Sequence, residues 1–157
     1  MIRRATIIAV GKLKGWPAEG CADYAKRLRR HFSVETIEVA EADMNRLSPQ
    51  EVLSTEADRL VKRLPANSHR VALDRERGKR LSSEGLARRL ASLGISGRSH
   101  LTVLVGGPLG LSKSLVDRAD EVWSFGELTL PHALARVVLL EQLYRAAKLE
   151  RGEKYPW

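Results

Sequence analysis

Short apolar runs alternate with segments of helical periodicity from one end of the chain to the other, and that alternation leaves few folds open. "ATIIAV" at 5–10 stops at Gly11 and reads as a buried strand followed by a turn. Pro17 then opens a helical pattern carried by Cys21, Tyr24, Ala25, Leu28 and Phe32. "VETIEV" at 34–39 alternates apolar and polar residues, as a half-exposed or edge strand does. Ser48, Pro49 and Glu51 start the next helix, with Val52, Leu53, Leu60, Val61 and Leu64 facing inward. "RVALD" at 70–74 is a third strand, and the polar loop "RERGKRLSS" leads to a helix capped by Ser82 or Ser83 and running to about Leu93. "HLTVLV" and "EVWSF" supply the fourth and fifth strands, with a helix from Ser112 to about Ala119 between them. The order predicts one α/β domain over 1–157, a mainly parallel sheet flanked by helices, with its ligand site at the carboxyl ends of the strands.

The chain closes with an extended segment, Pro131 and one long helix in which Ala133, Leu134, Val137, Val138, Leu139, Leu140, Leu143, Tyr144, Ala146 and Ala147 cover most of the circumference. A helix apolar all round needs burial on two sides. In a domain of this size a second subunit meets that need most simply, so a twofold homodimer is expected; a central helix within a monomer is the alternative.

Charge narrows the partner. The formal net charge is +8, and it is segregated: basic residues cluster over 12–30 and 59–98, whereas 35–58 holds seven acids against the single base Arg46. A segregated positive surface attracts phosphates, which favours nucleic acid. No apolar run approaches the roughly 20 residues that span a bilayer, and the N-terminal segment lacks the pattern of a secretory signal, so a cytoplasmic protein without a membrane partner is expected. The lone Cys21 has no Cys or His at metal-binding spacing, so no metal is expected.

The stretch "LTVLVGGPLGLSKS" is the strongest local signal. "GPLGLSKS" departs from the Walker A pattern because Ser112 stands where its last glycine should be. The dinucleotide fingerprint fails too, since Gly106, Gly107 and Gly110 have the wrong intervals and Pro108 removes a backbone donor. What remains is a tight backbone turn at a strand end, suited to holding a flat base by main-chain groups. "FGELTL" at 125–130 follows the next strand and would adjoin that turn if the fourth and fifth strands lie close in the sheet. A ligand with an adenine but no phosphate suits such a pair of loops.

"HLTVLVGGPLGL", "SFGELTLPHALARVVLLEQLYRA" and "RGEKY", with "IIAVGKLK" near the start and "RVALD" in the middle, resemble the ribosomal RNA large subunit methyltransferase H family of the SPOUT superfamily. The resemblance implies an α/β fold with a C-terminal trefoil knot, a homodimer, S-adenosylmethionine as cofactor, and methylation at N3 of a pseudouridine in 23S ribosomal RNA within the large subunit or the 70S ribosome. It also places the cofactor at Leu73, Gly107, Phe125, Gly126, Glu127, Leu128, Thr129 and Leu130.

Methyl transfer to an imide nitrogen requires near-attack geometry and loss of the nitrogen's proton to a base, or cationic support of the anion. The candidates are His132, Arg136, Glu141, Arg145 and Tyr155. His132 opens the last helix, where a charged imidazole is disfavoured and a neutral base can act. Arg136 is a candidate phosphate contact. Glu141 and Arg145 are spaced to bridge each other or to serve the site. Family members commonly end in a Tyr-His pair; this chain keeps Tyr155 but continues with Pro156 and Trp157, so the expected tail closes over the cofactor without a histidine. Two other readings stand beside this one: an RNA- or ribosome-binding protein of the same fold without catalysis, and an ATP-using α/β enzyme, which Ser112 disfavours.

Overall fold

The computed structural model describes residues 1–155. The strands are β1 (Arg4–Val10), β2 (Ser33–Val39), β3 (His69–Leu73), β4 (Lys79–Arg80), β5 (His100–Val105) and β6 (Glu121–Ser124). The helices are α1 (Trp16–Leu28), α2 (Pro49–Val61), α3 (Ser83–Ile95), α4 (Lys113–Asp117) and α5 (His132–Glu150). All strands join one parallel sheet in the order β2-β1-β5-β3-β6-β4. The alternating segment 34–39 is indeed an edge strand. Two helix starts follow the capping chemistry read from the sequence: Ser48 and Glu51 form a reciprocal capping box, and the Ser82 hydroxyl accepts from the Gly85 amide.

Period-two alternation sends Ala5, Ile7 and Ala9 to one face of the sheet, where they meet Leu28, Leu90, Leu93, Leu139 and Leu143 from α1, α3 and α5. Ile8 and Val10 face the other way, against Leu60 of α2 and Leu115 and Val116 of α4. The long helix α5 lies between α1 and α3. Its buried stripe is Arg136, Leu139, Leu140, Leu143, Ala146 and Ala147, while Leu134, Val137, Val138 and Tyr144 are half-buried. Two flanking helices of its own chain thus cover much of the surface that the sequence reading assigned to a second subunit.

The sequence reading treated 75–83 as loop throughout. Lys79 and Arg80 instead pair with Trp123 and Ser124 of β6, so β6 lies between two strands that are neighbours in the chain. The link 74–78 must therefore bridge across β6. Gly78 makes that crossing possible, because a Cβ there would lie 2.3 Å from the backbone carbon of Trp123. At the opposite end of the sheet, Glu121 anchors the start of β6. Burial alone would raise its carboxyl's pKa, but hydrogen bonds from Arg89, His69 and Trp123 together outweigh burial and hold it below the usual range.

Candidate functional site

The carboxyl ends of β5, β3 and β6 open into a cleft of about 740 Å³, within the range of small-molecule sites. The sequence reading made the two loops neighbours if β5 and β6 lie close in the sheet; the two strands do not pair, yet both loops line this one cleft. β3 lies between their strands, and its own exit, Leu73 to Arg77, supplies a third wall. Among the residues expected at the cofactor, Leu73, Gly107, Phe125, Gly126, Leu128, Thr129 and Leu130 line the cleft. Glu127 does not; its carboxylate points to Arg80, 2.6 Å away.

The glycine loop is a closed turn. Gly110 donates its amide to the Gly107 carbonyl at 2.9 Å and takes φ +79°. Gly106 carries no side chain for a physical reason: a Cβ would sit 2.4 Å from the carbonyl carbon and oxygen of Gly110. Facing this turn, the buried Ser124 hydroxyl donates to the Arg75 carbonyl at 2.9 Å and accepts the Gly126 amide at 3.1 Å, tying the β3 and β6 exits together. Sequence reasoning named Gly106 as part of the turn but missed Ser124. The signal available for Ser124 was a hydroxyl at the end of an otherwise apolar strand.

Charge around the cleft is already engaged. The Asp74 carboxylate accepts the amides of Glu76 and Arg77 at 3.0 Å each and pairs with the Arg77 guanidinium at 3.2 Å, a turn cap as expected. Arg75 donates to the Glu127 carbonyl at 3.1 Å and to Glu76 at 2.9 Å. The rim, by contrast, is apolar and open: Leu109, Phe125 and Leu128 are 41%, 38% and 81% exposed.

The catalytic candidates separate into three places. His132 lines the cleft, with Nε2 3.8 Å from the Glu41 carboxylate. Arg136 is buried, donating to the Gly11 carbonyl at 3.0 Å and to Glu38 at 2.8 Å. It ties α5 to the ends of β1 and β2, so the candidate phosphate contact of the sequence reading is a buried guanidinium paired within its own chain. Glu141 and Arg145 bridge each other at 2.6 Å. Arg145 also lies 4.5 Å over the ring of Tyr155, which meets Tyr144 edge-on at 5.2 Å. Glu141, Arg145 and Tyr155 thus lie outside the cleft of their own chain. Pro156 and Trp157 fall outside the described residues. Among the described residues no helix is long and apolar enough to cross a membrane, and no three His, Cys, Asp or Glu side chains are grouped to hold a metal ion.

A family model described as "Predicted SPOUT methyltransferase" matches residues 3–156. A Rubrobacter xylanophilus protein named ribosomal RNA large subunit methyltransferase H is 67% identical over 158 residues, covering 100% of both chains. A protein of the same name from Acetivibrio thermocellus is 48% identical, covering 97% of this chain and 98% of its own. Among solved structures, a methylase family protein from Haemophilus influenzae superposes with a TM-score of 0.53 at 12% identity, over 98% of this chain and 71% of that one. A Legionella pneumophila methyltransferase solved with bound SAM gives 0.51 at 12% identity, over 93% of this chain and 66% of that one. At such identities the structural likeness establishes the fold.

Proposed function

The chain belongs to the ribosomal RNA large subunit methyltransferase H family of SPOUT methyltransferases, and on that footing we propose that it transfers a methyl group from S-adenosylmethionine to N3 of a pseudouridine in 23S ribosomal RNA. The substrate is the RNA of the large subunit or the 70S ribosome, in the cytoplasm, and the enzyme works as a homodimer. The observation that carries the reading is the cleft with its main-chain turn at the strand ends.

The cleft suits this cofactor on three counts. It has the volume for a nucleoside with an amino-acid arm. Its turn at 106–110 closes so tightly that Gly106 has no room for a Cβ, which leaves bare main chain at that point of the cleft wall. Its two arginines are already paired with carboxylates or carbonyls, which fits a ligand without phosphate. The main chain of 106–107 and 125–130 would hold the adenosine, with Leu73 and Leu128 as apolar contacts. The chemistry supplied by bound S-adenosylmethionine is methyl transfer, in which an N–C bond forms as the S–C bond breaks and S-adenosylhomocysteine leaves.

This chain's residues must then orient the base, exclude water and accept the imide proton. His132 is the imidazole on the cleft wall and takes the proton, directly or through water. Tyr155 cannot share that role at neutral pH: burial first, then Tyr24 and Glu141, push its phenol up to about 12 against the opposing Arg145. The phenol stays protonated and acts as a hydrogen-bond donor. Tyr155→Phe is therefore expected to leave the shape of the kcat–pH profile unchanged from about pH 6 to about pH 9; loss of a limb in that profile would make Tyr155 the base.

The second copy packs over the half-buried side of α5 and the apolar rim, bringing its own tail toward the cleft. Support for a threaded, trefoil C-terminal segment comes from β6 lying between β3 and β4 beneath the 74–78 bridge. The test is to incubate the protein with labelled S-adenosylmethionine and undermodified ribosomes and to map the product by mass spectrometry. A methylated pseudouridine in 23S RNA is the expected result. Ribosome binding without any labelled nucleotide would favour the non-catalytic reading.

A further inference from the structure

The loop 11–15 between β1 and α1 has no part in the cleft, yet its form is specific. It leaves the sheet at the same edge as the cleft walls, because every strand is parallel. Its base is fixed: the Gly11 carbonyl accepts from Arg136 at 3.0 Å, and the Leu13 amide donates to Glu38 at 2.9 Å. Its tip is free, with Lys12, Lys14, Gly15 and Trp16 all exposed. Gly15 adopts φ +64° and ψ −145°, a conformation open in practice to glycine alone, and this bend directs the chain into α1.

Trp16 is 63% exposed, although indole is among the most costly side chains to leave in water. The first turns of α1 pack on α5 close to the cleft: a Cβ on Gly20 would be 3.5 Å from Val137, and His132 and Ala135 at the start of α5 line the cleft wall. No acidic residue occurs between Gly11 and Ala18. An open indole beside two exposed lysines has the composition of a single-stranded RNA contact, in which a base stacks on the ring and phosphates meet the lysines.

We propose that Trp16, flanked by Lys12 and Lys14, is a docking platform for an unpaired stretch of RNA next to the nucleotide presented to the cleft. The proposal rests on the reading of ribosomal RNA as the substrate. Because the base of the loop is pinned by Arg136 and Glu38, the ring is presented with little ordering left to pay for on binding.

The test uses the full chain and a fluorescein-labelled single-stranded RNA of about a dozen nucleotides, the scale of such binding sites, followed by anisotropy, with sedimentation and cofactor calorimetry on each variant. Trp16→Ala weakens RNA binding about 5- to 150-fold, the range for losing one base–aromatic stack, while cofactor affinity and oligomeric state stay as in the wild type. Trp16→Phe keeps most of the affinity. Lys12→Ala with Lys14→Ala flattens the salt dependence by about 1.4 in log–log slope. Unchanged RNA binding in Trp16→Ala overturns the proposal, as does a change of oligomeric state in that variant, which would assign the indole to a second copy of the chain. If the wild type binds no S-adenosylmethionine yet loses RNA on Trp16→Ala, the methyltransferase reading fails and the platform stands.

Discussion

Gly106→Ala is expected to lower S-adenosylmethionine affinity by roughly 30- to 150-fold, the consequence of losing two or three main-chain hydrogen bonds of about 1 kcal/mol each. The new methyl group would lie 2.4 Å from the carbonyl carbon and oxygen of Gly110 and 2.8 Å from its Cα. These are backbone atoms held by the Gly110–Gly107 hydrogen bond, so relief requires the turn to open. Overpacking of this kind costs about 1–3 kcal/mol, a fall in Tm of about 2–12 °C for a chain of this length. Gly107→Ala is the control. Its Cβ would meet Cγ1 of the buried Val10 at 3.0 Å and the buried Glu56 carboxylate at 3.5 Å, contacts that a shift of a few tenths of an ångström relieves, so its affinity falls less than about tenfold. Calorimetric titration and thermal melting of both variants measure the contrast. Wild-type affinity in Gly106→Ala would mean that the turn does not form the ligand's wall.

Arg136→Ala acts on stability. The guanidinium is 4% exposed and joins α5 to the Gly11 carbonyl and the Glu38 carboxylate, with its Nε buried without a hydrogen-bond partner. Removing one member of a buried pair leaves the other uncompensated. The expected loss is about 3 kcal/mol, at the low end for such pairs, because Glu38 keeps 31% of its side-chain exposure. For this chain length that is a Tm lower by about 6–12 °C. Acid should shrink the difference. Burial favours the neutral form of Glu38, but the Leu13 amide and Arg136 together hold its pKa below the ordinary value. Its contribution is therefore present above the unfolded pKa, about 4.3, and lost as pH falls through the folded value. Melting both proteins from neutral pH to about pH 3 checks the convergence. A variant as stable as the wild type would mean that the tie is not a structural one.

Local chemistry was legible in the sequence where local chemistry decides the outcome. The capping box at Ser48 and Glu51, the alternation of the edge strand at 34–39 and the other four strands read from the sequence all appear where their residues direct. What failed was non-local. Lys79 and Arg80 are a strand only because β6 arrives beside them, and nothing in two polar residues announces that. The order that inserts β3 between β5 and β6 likewise depends on chain crossings, which periodicity does not encode.

The candidate site divides in the same way. Its backbone turn was readable from glycine and proline spacing, because steric demands at a strand end leave few residue choices. The burial of Arg136 was not read from the sequence, although it falls on the same three-and-four stripe as Leu139, Leu140 and Leu143, and that spacing was the available signal. Tyr155 was named by resemblance, and the phenol lies on Tyr144 beneath Arg145, outside the cleft of its own chain.

The central claim is that main chain at 106–110 and 125–130 grips S-adenosylmethionine, and amide hydrogen exchange read by mass spectrometry tests it at the residues concerned. Adding the cofactor to the wild-type protein is predicted to slow exchange in peptides covering those two segments, with β2 and α2 unaffected. Unaltered exchange in both segments at saturating cofactor, or protection confined to another part of the chain, would contradict the account.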